Sequence, residues 1–143
     1  MGMSREIIEL TNEAQWRQAF PLMAQLRPTL TMERYLDLLP KMTKNNYHLF
    51  AMVEQNQFLA LAGVDLATNL YNGYHVFLYD LVVDENQRSG GLGAEMLEFV
   101  HSWGKSQGAE YVSLESALHR EAAHRFYENH EYDKWCYSFR KKL

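Results

Sequence analysis

Residues 88–94, Arg-Ser-Gly-Gly-Leu-Gly-Ala, place Gly90, Gly91 and Gly93 directly ahead of a segment with helical periodicity. Glycines let backbone N–H groups converge with no side chain between them. The helix that follows adds its own unsatisfied N–H groups and the positive end of its dipole. Such a turn suits an anion, and a diphosphate is the natural guest. No Gly-Lys-Ser/Thr follows, which removes support for a Walker loop, and Met96 stands where a Rossmann fingerprint needs its third glycine. The alternative is a helix start that merely tolerates glycine.

Two other kinds of chemistry-bearing residue carry less. His119, His124 and His130 do not fall at the i, i+4 spacing that puts two ligands on one helical face, so they read as helix-surface histidines and no metal site is expected. Cys136 is the only cysteine, which excludes an internal disulfide, and its place near the C-terminus, away from the glycine turn, argues against a cysteine acyl-enzyme.

The elements that must position the turn follow from the apolar pattern. Residues 5–10 predict a strand, and Asn12 with Gln15 resembles a capping box opening a helix through Trp16, Phe20 and Met23, kinked or divided at Pro21. A second helix is predicted from Met32 to Leu39, with Pro40 as its stop. Residues 47–54 and 58–67 predict a hairpin around a polar Gln-Asn-Gln, and Asn72-Gly73 predicts a two-residue turn into a third strand ending at Val83. Leu92, Met96, Phe99, Val100 and Trp103 mark one face of a helix that Gly108 ends. A strand over 110–116, a helix beyond it, and a final alternating strand with Trp135, Tyr137 and Phe139 on one side complete a mixed α/β order. In such sheets ligands sit at strand-to-helix junctions like the one at the glycine turn.

Composition sets the outer bounds. A chain of 143 residues, 47% hydrophobic and 22% charged, is one ordinary globular domain in size, and a net charge of −4 gives no bulk attraction to nucleic acid or anionic membrane. No apolar run is long enough to span a bilayer and no secretory signal opens the chain, so the cytoplasm is the expected location.

Arg88-x-x-Gly91-x-Gly93, after the apolar strand Asp80-Leu81-Val82-Val83-Asp84 and before an amphipathic helix, resembles the acyl-CoA signature of the GNAT N-acetyltransferase superfamily. The segment "LESALHREAAHRFYENHEY", residues 114–132, is similar to that family's second motif. The resemblance implies a single GNAT-like domain over residues 1–143. Its fold would be α/β (α+β), with a central mixed, mostly antiparallel sheet of about six to seven strands flanked by about four helices. It also implies acetyl-CoA as cosubstrate. Leu81, Val82 and Val83 would lend backbone hydrogen bonds to the pantetheine arm, and Arg88, Ser89, Gly90, Gly91, Leu92, Gly93 and Ala94 would wrap the pyrophosphate.

Acetyl transfer needs a neutral amine, and a lysine-type amine with a pKa of about 10.4 is mostly protonated at neutral pH, so a base is required. Glu115, twelve residues before Tyr127 as in family members that pair a glutamate base with a tyrosine acid, is the first candidate, and Asp80 is the second. Glu115 could instead be a solvated strand end or a partner of Arg120 or Arg125. A backbone N–H of Leu81 or Val82 is the expected donor to the negative charge that develops on the thioester oxygen. Tyr127 matches the family's general acid for the departing thiolate. The chain departs from the family at Arg120, where Asn is frequent, and at Glu131, where Gly is frequent. Arg120 could reach CoA phosphates or pair with Glu121 or Glu128.

The acceptor side falls to the first helices, their connection and the hairpin tip, with Trp16, Arg27, Tyr35, Tyr71 and Tyr74 available. The resulting expectation is an N-acetyltransferase, a monomer or homodimer, acting on a primary amine of a small molecule or peptide by direct attack in a ternary complex. The alternative is a non-catalytic acyl-CoA-binding sensor or interaction module. A coincidental match on a structural domain would predict no CoA affinity.

Overall fold

The computed structural model describes residues 4–88 and 90–143, which fall into two compact units, Met1–Ser113 and Leu114–Leu143. The first unit holds β1 (Glu6–Leu10), α1 (Glu13–Leu26), α2 (Met32–Lys44), β2 (Tyr47–Glu54), β3 (Gln57–Asn69), β4 (Gly73–Val83), a short 3-10 turn (Glu85–Gln87), α3 (Leu92–Ser106) and all but the last residue of β5 (Tyr111–Leu114). The strands form one sheet in chain order, and β1 to β4 pair antiparallel. The α3 crossover returns β5 to the start of β4, where Glu110 N–H donates to the Tyr74 carbonyl at 2.8 Å; this sets β5 parallel and makes the sheet mixed.

Strands β2 to β4 are apolar on both faces because both faces are covered. Along β2, Tyr47, Leu49 and Ala51 join the core made by α1 and α2 with Trp16, Leu22, Met23, Tyr35 and Leu39. The alternate residue Phe50 meets Phe99 and Trp103 of α3, with ring centroids 4.9 and 5.2 Å apart.

Several expectations are corrected. Neither proline breaks its helix: Pro21 lies inside α1 and Pro40 inside α2. Each removes one backbone bond, yet Leu22 and Met23 beyond Pro21 are buried, and Met42 beyond Pro40 packs on the core; that burial outweighs the lost bond. Asn72-Gly73 is not a two-residue turn, since the β3–β4 connection is Leu70, Tyr71 and Asn72, with Asn69 Oδ1 accepting from Asn72 N–H at 2.7 Å. The described residues hold five strands rather than six or seven. The segment expected as the final strand forms none, and Trp135, Tyr137 and Phe139 are exposed. Alternation specifies two faces, but a strand also needs a partner edge.

In the second unit, α4 (Glu121–Glu128) is followed by a cap in which Tyr132 N–H donates to the Tyr127 carbonyl at 3.1 Å and Glu131 N–H to the Glu128 carbonyl at 3.1 Å. This Schellman pattern places Glu131 in the left-handed region at φ 69°.

Candidate active site

The glycine turn lies between β4 and α3, and neighbouring elements hold both of its ends. At its entry, Asp84 N–H donates to the Leu59 carbonyl at 2.9 Å, and the Gln25 side chain of α1 accepts from Glu85 N–H at 3.0 Å and donates to Asp84 Oδ1 at 3.3 Å. At its exit Gly91 caps α3 in the left-handed conformation, φ 77°, without a side-chain cap. The first intrahelical bond runs from Glu95 N–H to the Gly91 carbonyl at 3.1 Å. The N–H groups of Leu92, Gly93 and Ala94 therefore precede the α3 ladder. A Cβ on Gly91 would meet nothing within 4 Å, so the space beside this backbone is open. Left-handed backbone, ladder-free N–H groups and open space fit a phosphate anion. Arg88 and Gly90 are exposed beside them; Ser89 lies outside the described residues.

Leu81, Val82 and Val83 pair with Ala62, Leu61 and Ala60 of β3 on one side. On the other side the four residues of β5 start opposite Tyr74 and are too few to reach the end of the eleven-residue β4. In the sheet of described residues, the outer edge of residues 81–83 has no strand beside it, which is what a pantetheine amide needs for β-type pairing.

Asp80 is buried. Its Oδ1 accepts from Arg27 Nη2 at 2.9 Å and Nε at 3.2 Å, and its Oδ2 accepts from the Tyr47 hydroxyl at 2.7 Å. Gly63, opposite Asp80 in β3, makes this possible, because a Cβ there would overlap the Tyr47 hydroxyl and lie 2.7 Å from Asp80 Oδ2. The β3–β4 register shifts beside this pair, from Gly63↔Asp80 to Val64↔Leu78, so Tyr79 is an extra residue in β4 and its carbonyl accepts from Arg27 Nη2 at 2.7 Å. Burial, together with the Asp80 charge and hydrogen bond, pushes the Tyr47 phenol well above the ordinary tyrosine range; burial and the Asp80 charge push up Tyr35. Sequence reasoning named Arg27 only as available and missed Tyr47 and Gly63. A lone glycine inside an apolar strand was the signal for a bulge and close approach.

In the second unit, Tyr127 stacks edge-on with Phe126 and Tyr132, with centroids 5.3 and 5.6 Å away. Burial raises its phenol pKa, and the Arg120 charge opposes that rise. Glu115 is exposed, and among the described residues neither Glu115 nor Arg120 forms an ion pair. His124 and His130 direct ring nitrogens to the carbonyls of Ala117 and Phe126 at 2.9 and 2.7 Å.

Residues 10–132 match the model of the Acetyltransferase (GNAT) family. The chain belongs to that family. A curated relative, "Uncharacterized N-acetyltransferase YhdJ" of Bacillus subtilis (strain 168), is 37% identical over 120 residues, covering 83% of this chain and 84% of the relative. Among solved structures, aminoglycoside N-acetyltransferase AAC(6')-Iy in complex with CoA superposes with a TM-score of 0.85 at 16% identity, covering 100% of this chain and 98% of that one. A transcriptional regulator from Bacillus halodurans C-125 superposes at 0.83 and 18% identity, covering 98% and 100%. At these identities the structural likeness is one of fold. The GNAT chain is an acetyl-CoA-dependent N-acetyltransferase, and acetyl-CoA is the family's cosubstrate. Among its described residues, no helix is long and apolar enough to cross a membrane.

Proposed function

We propose that residues 1–143 form one acetyltransferase domain that acetylates a primary amine of a small molecule by direct attack in a ternary complex. The carrying observation is that one chain segment presents both the strand-free outer edge of Leu81, Val82 and Val83 and the ladder-free N–H groups of Leu92, Gly93 and Ala94. The family match over residues 10–132 passes through both compact units, which supports a single domain. The resemblance to an aminoglycoside N-acetyltransferase favours a small-molecule acceptor.

Bound acetyl-CoA supplies an activated carbonyl and a thiol leaving group. The N–H of Leu81 or Val82 is the donor to the carbonyl oxygen. Glu115 is the preferred base, direct or through water, because it is exposed and unpaired with any cation among the described residues. Asp80 would have to leave Arg27 or Tyr47 to take a substrate proton. Tyr127 is the proton donor to the leaving sulfur: a phenol holds its proton at neutral pH, and because burial raises its pKa further, its usefulness rests on its placement against the thiolate rather than on its acidity. Arg120 is assigned to the CoA phosphates.

Calorimetric titration with acetyl-CoA, followed by thiol release across a panel of amines, tests the assignment. Binding with turnover is expected, and Tyr127→Phe is expected to slow turnover by roughly 10²-fold with acetyl-CoA binding retained. Binding without thiol release from any amine is the behaviour of a non-catalytic acyl-CoA module. Absence of binding removes the role given to the glycine turn.

A further inference from the structure

A cavity of about 260 Å³ opens between the C-terminal end of α2 and the α2-facing side of the sheet, lined by Lys41, Met42, Asn45, Tyr47, Asp65 and Tyr79. Asp65 lies in β3 directly across from Tyr47, and its Oδ1 is buried with no hydrogen-bond partner among the described residues. This oxygen is under-compensated, because buried polar atoms are normally paired, although the Leu66 N–H and the His48 and His75 charges act on the partly buried carboxylate as a whole. The charged or titratable groups around it do not supply the missing partner. His48 Nδ1 is 2.9 Å from Glu9, His75 Nδ1 is 3.0 Å from the Gly73 carbonyl, and Lys41 pairs with Asp37 at 3.6 Å with its side chain largely in water. Of the other walls, Lys41 opposes a cation, though its exposed ammonium is turned to Asp37, while the rings of Tyr47 and Tyr79, 6.4 Å apart, and the negative end of the α2 dipole favour one.

The cavity stands at a defined distance from the reaction site. Asp65 is two residues along β3 from Gly63, which pairs with Asp80, and three from Ala62, which pairs with Leu81. At a strand rise of about 3.4 Å per residue these separations are about 7 and 10 Å. We propose that the cavity is a subsite for a second ammonium, so that the acceptor is a molecule with at least two amino groups about 7–10 Å apart, one acetylated and the other held by Asp65. This rests on the acetyltransferase reading above and narrows its acceptor to polyamino compounds.

The probes are 1,6-diaminohexane and hexylamine, compared by thiol release on the full chain and its Asp65→Asn variant. The wild type is expected to prefer the diamine at least tenfold in kcat/KM, through KM, and Asp65→Asn to bring the ratio near one. Equal use of both amines by the wild type, or a preference that survives in Asp65→Asn, overturns the proposal. If neither amine turns over, calorimetric titration with 1,6-diaminohexane decides: wild-type binding that is lost in Asp65→Asn supports the subsite, and no wild-type binding overturns it. A parallel acetyl-CoA titration of both proteins reports separately on the acetyltransferase reading and on the folding of the variant.

Discussion

Arg27 grips Asp80 through two nitrogens on one oxygen, Nη2 at 2.9 Å and Nε at 3.2 Å, and the same Nη2 donates to the Tyr79 carbonyl at 2.7 Å. One guanidinium thus ties the α1–α2 connection both to the buried carboxylate of Asp80, one step before the stretch assigned to the pantetheine, and to Tyr79, the extra residue of β4. Arg27→Ala leaves Asp80 with Tyr47 as its remaining partner. A loss of about 1–3 kcal/mol is expected, at the lower end because the Arg27 side chain is half exposed and screened. Urea unfolding checks it, and an unchanged midpoint would remove the structural role.

Gly63 makes room for the second half of this network. Gly63→Ala is expected to drive the Tyr47 hydroxyl off Asp80 and cost about 1–3 kcal/mol by overpacking. Adding Tyr47→Phe deletes the atom that the new methyl meets. The double variant is expected to recover part of the loss; full additivity in denaturant unfolding would contradict the close approach.

Gly91 is constrained by its backbone rather than by crowding, since φ is 77° and the space around a Cβ is open. Gly91→Ala is expected to cost about 1–2 kcal/mol of left-handed strain. Gly91→Glu adds a carboxylate beside the N–H groups assigned to phosphate and is expected to abolish acetyl-CoA binding. Calorimetry on the folded variants separates the two, and wild-type affinity in Gly91→Glu would remove the turn from the cofactor site.

The glycine turn was legible in the sequence because its determinants are local: glycines, an apolar strand before them and an amphipathic helix after. The partners of Asp80 were not, because Arg27 and Tyr47 lie 53 and 33 positions away in the chain and only the fold brings them to one carboxylate. Pro21 and Pro40 misled because local helix propensity lost to burial of Leu22, Met23 and Met42. Asp65, a charge inside the apolar run 58–67, was a signal of the same kind as Gly63 and was passed over.

Glu131 holds a left-handed backbone, φ 69°, at the cap of α4. The strain of a Cβ there is of the order of 1–2 kcal/mol, offset in part by the larger unfolded-state entropy of glycine. Glu131→Gly is therefore expected to stabilise the protein by about 1 kcal/mol, read as a raised unfolding midpoint. A lowered midpoint would show that the Glu131 side chain contributes more than its backbone costs.

Asp65 carries the opposite signature to a stabilising ion pair. Burial raises its pKa above the ordinary aspartate value, against the lowering effects of the His48 charge, the Leu66 N–H and the His75 charge. With the folded value above the unfolded one, the folded state holds the proton more tightly, so this group's contribution is greatest below the unfolded pKa and is lost as pH rises through the folded pKa. At neutral pH the ionised Asp65 is thus a net cost, and Asp65→Asn is expected to raise stability there while its advantage narrows as pH falls through the folded pKa. Thermal melts of both proteins at pH 7 and at the lowest pH where they stay folded check the sign. A stabilisation accompanied by loss of the diamine preference would mark Asp65 as a residue kept for binding at the expense of stability.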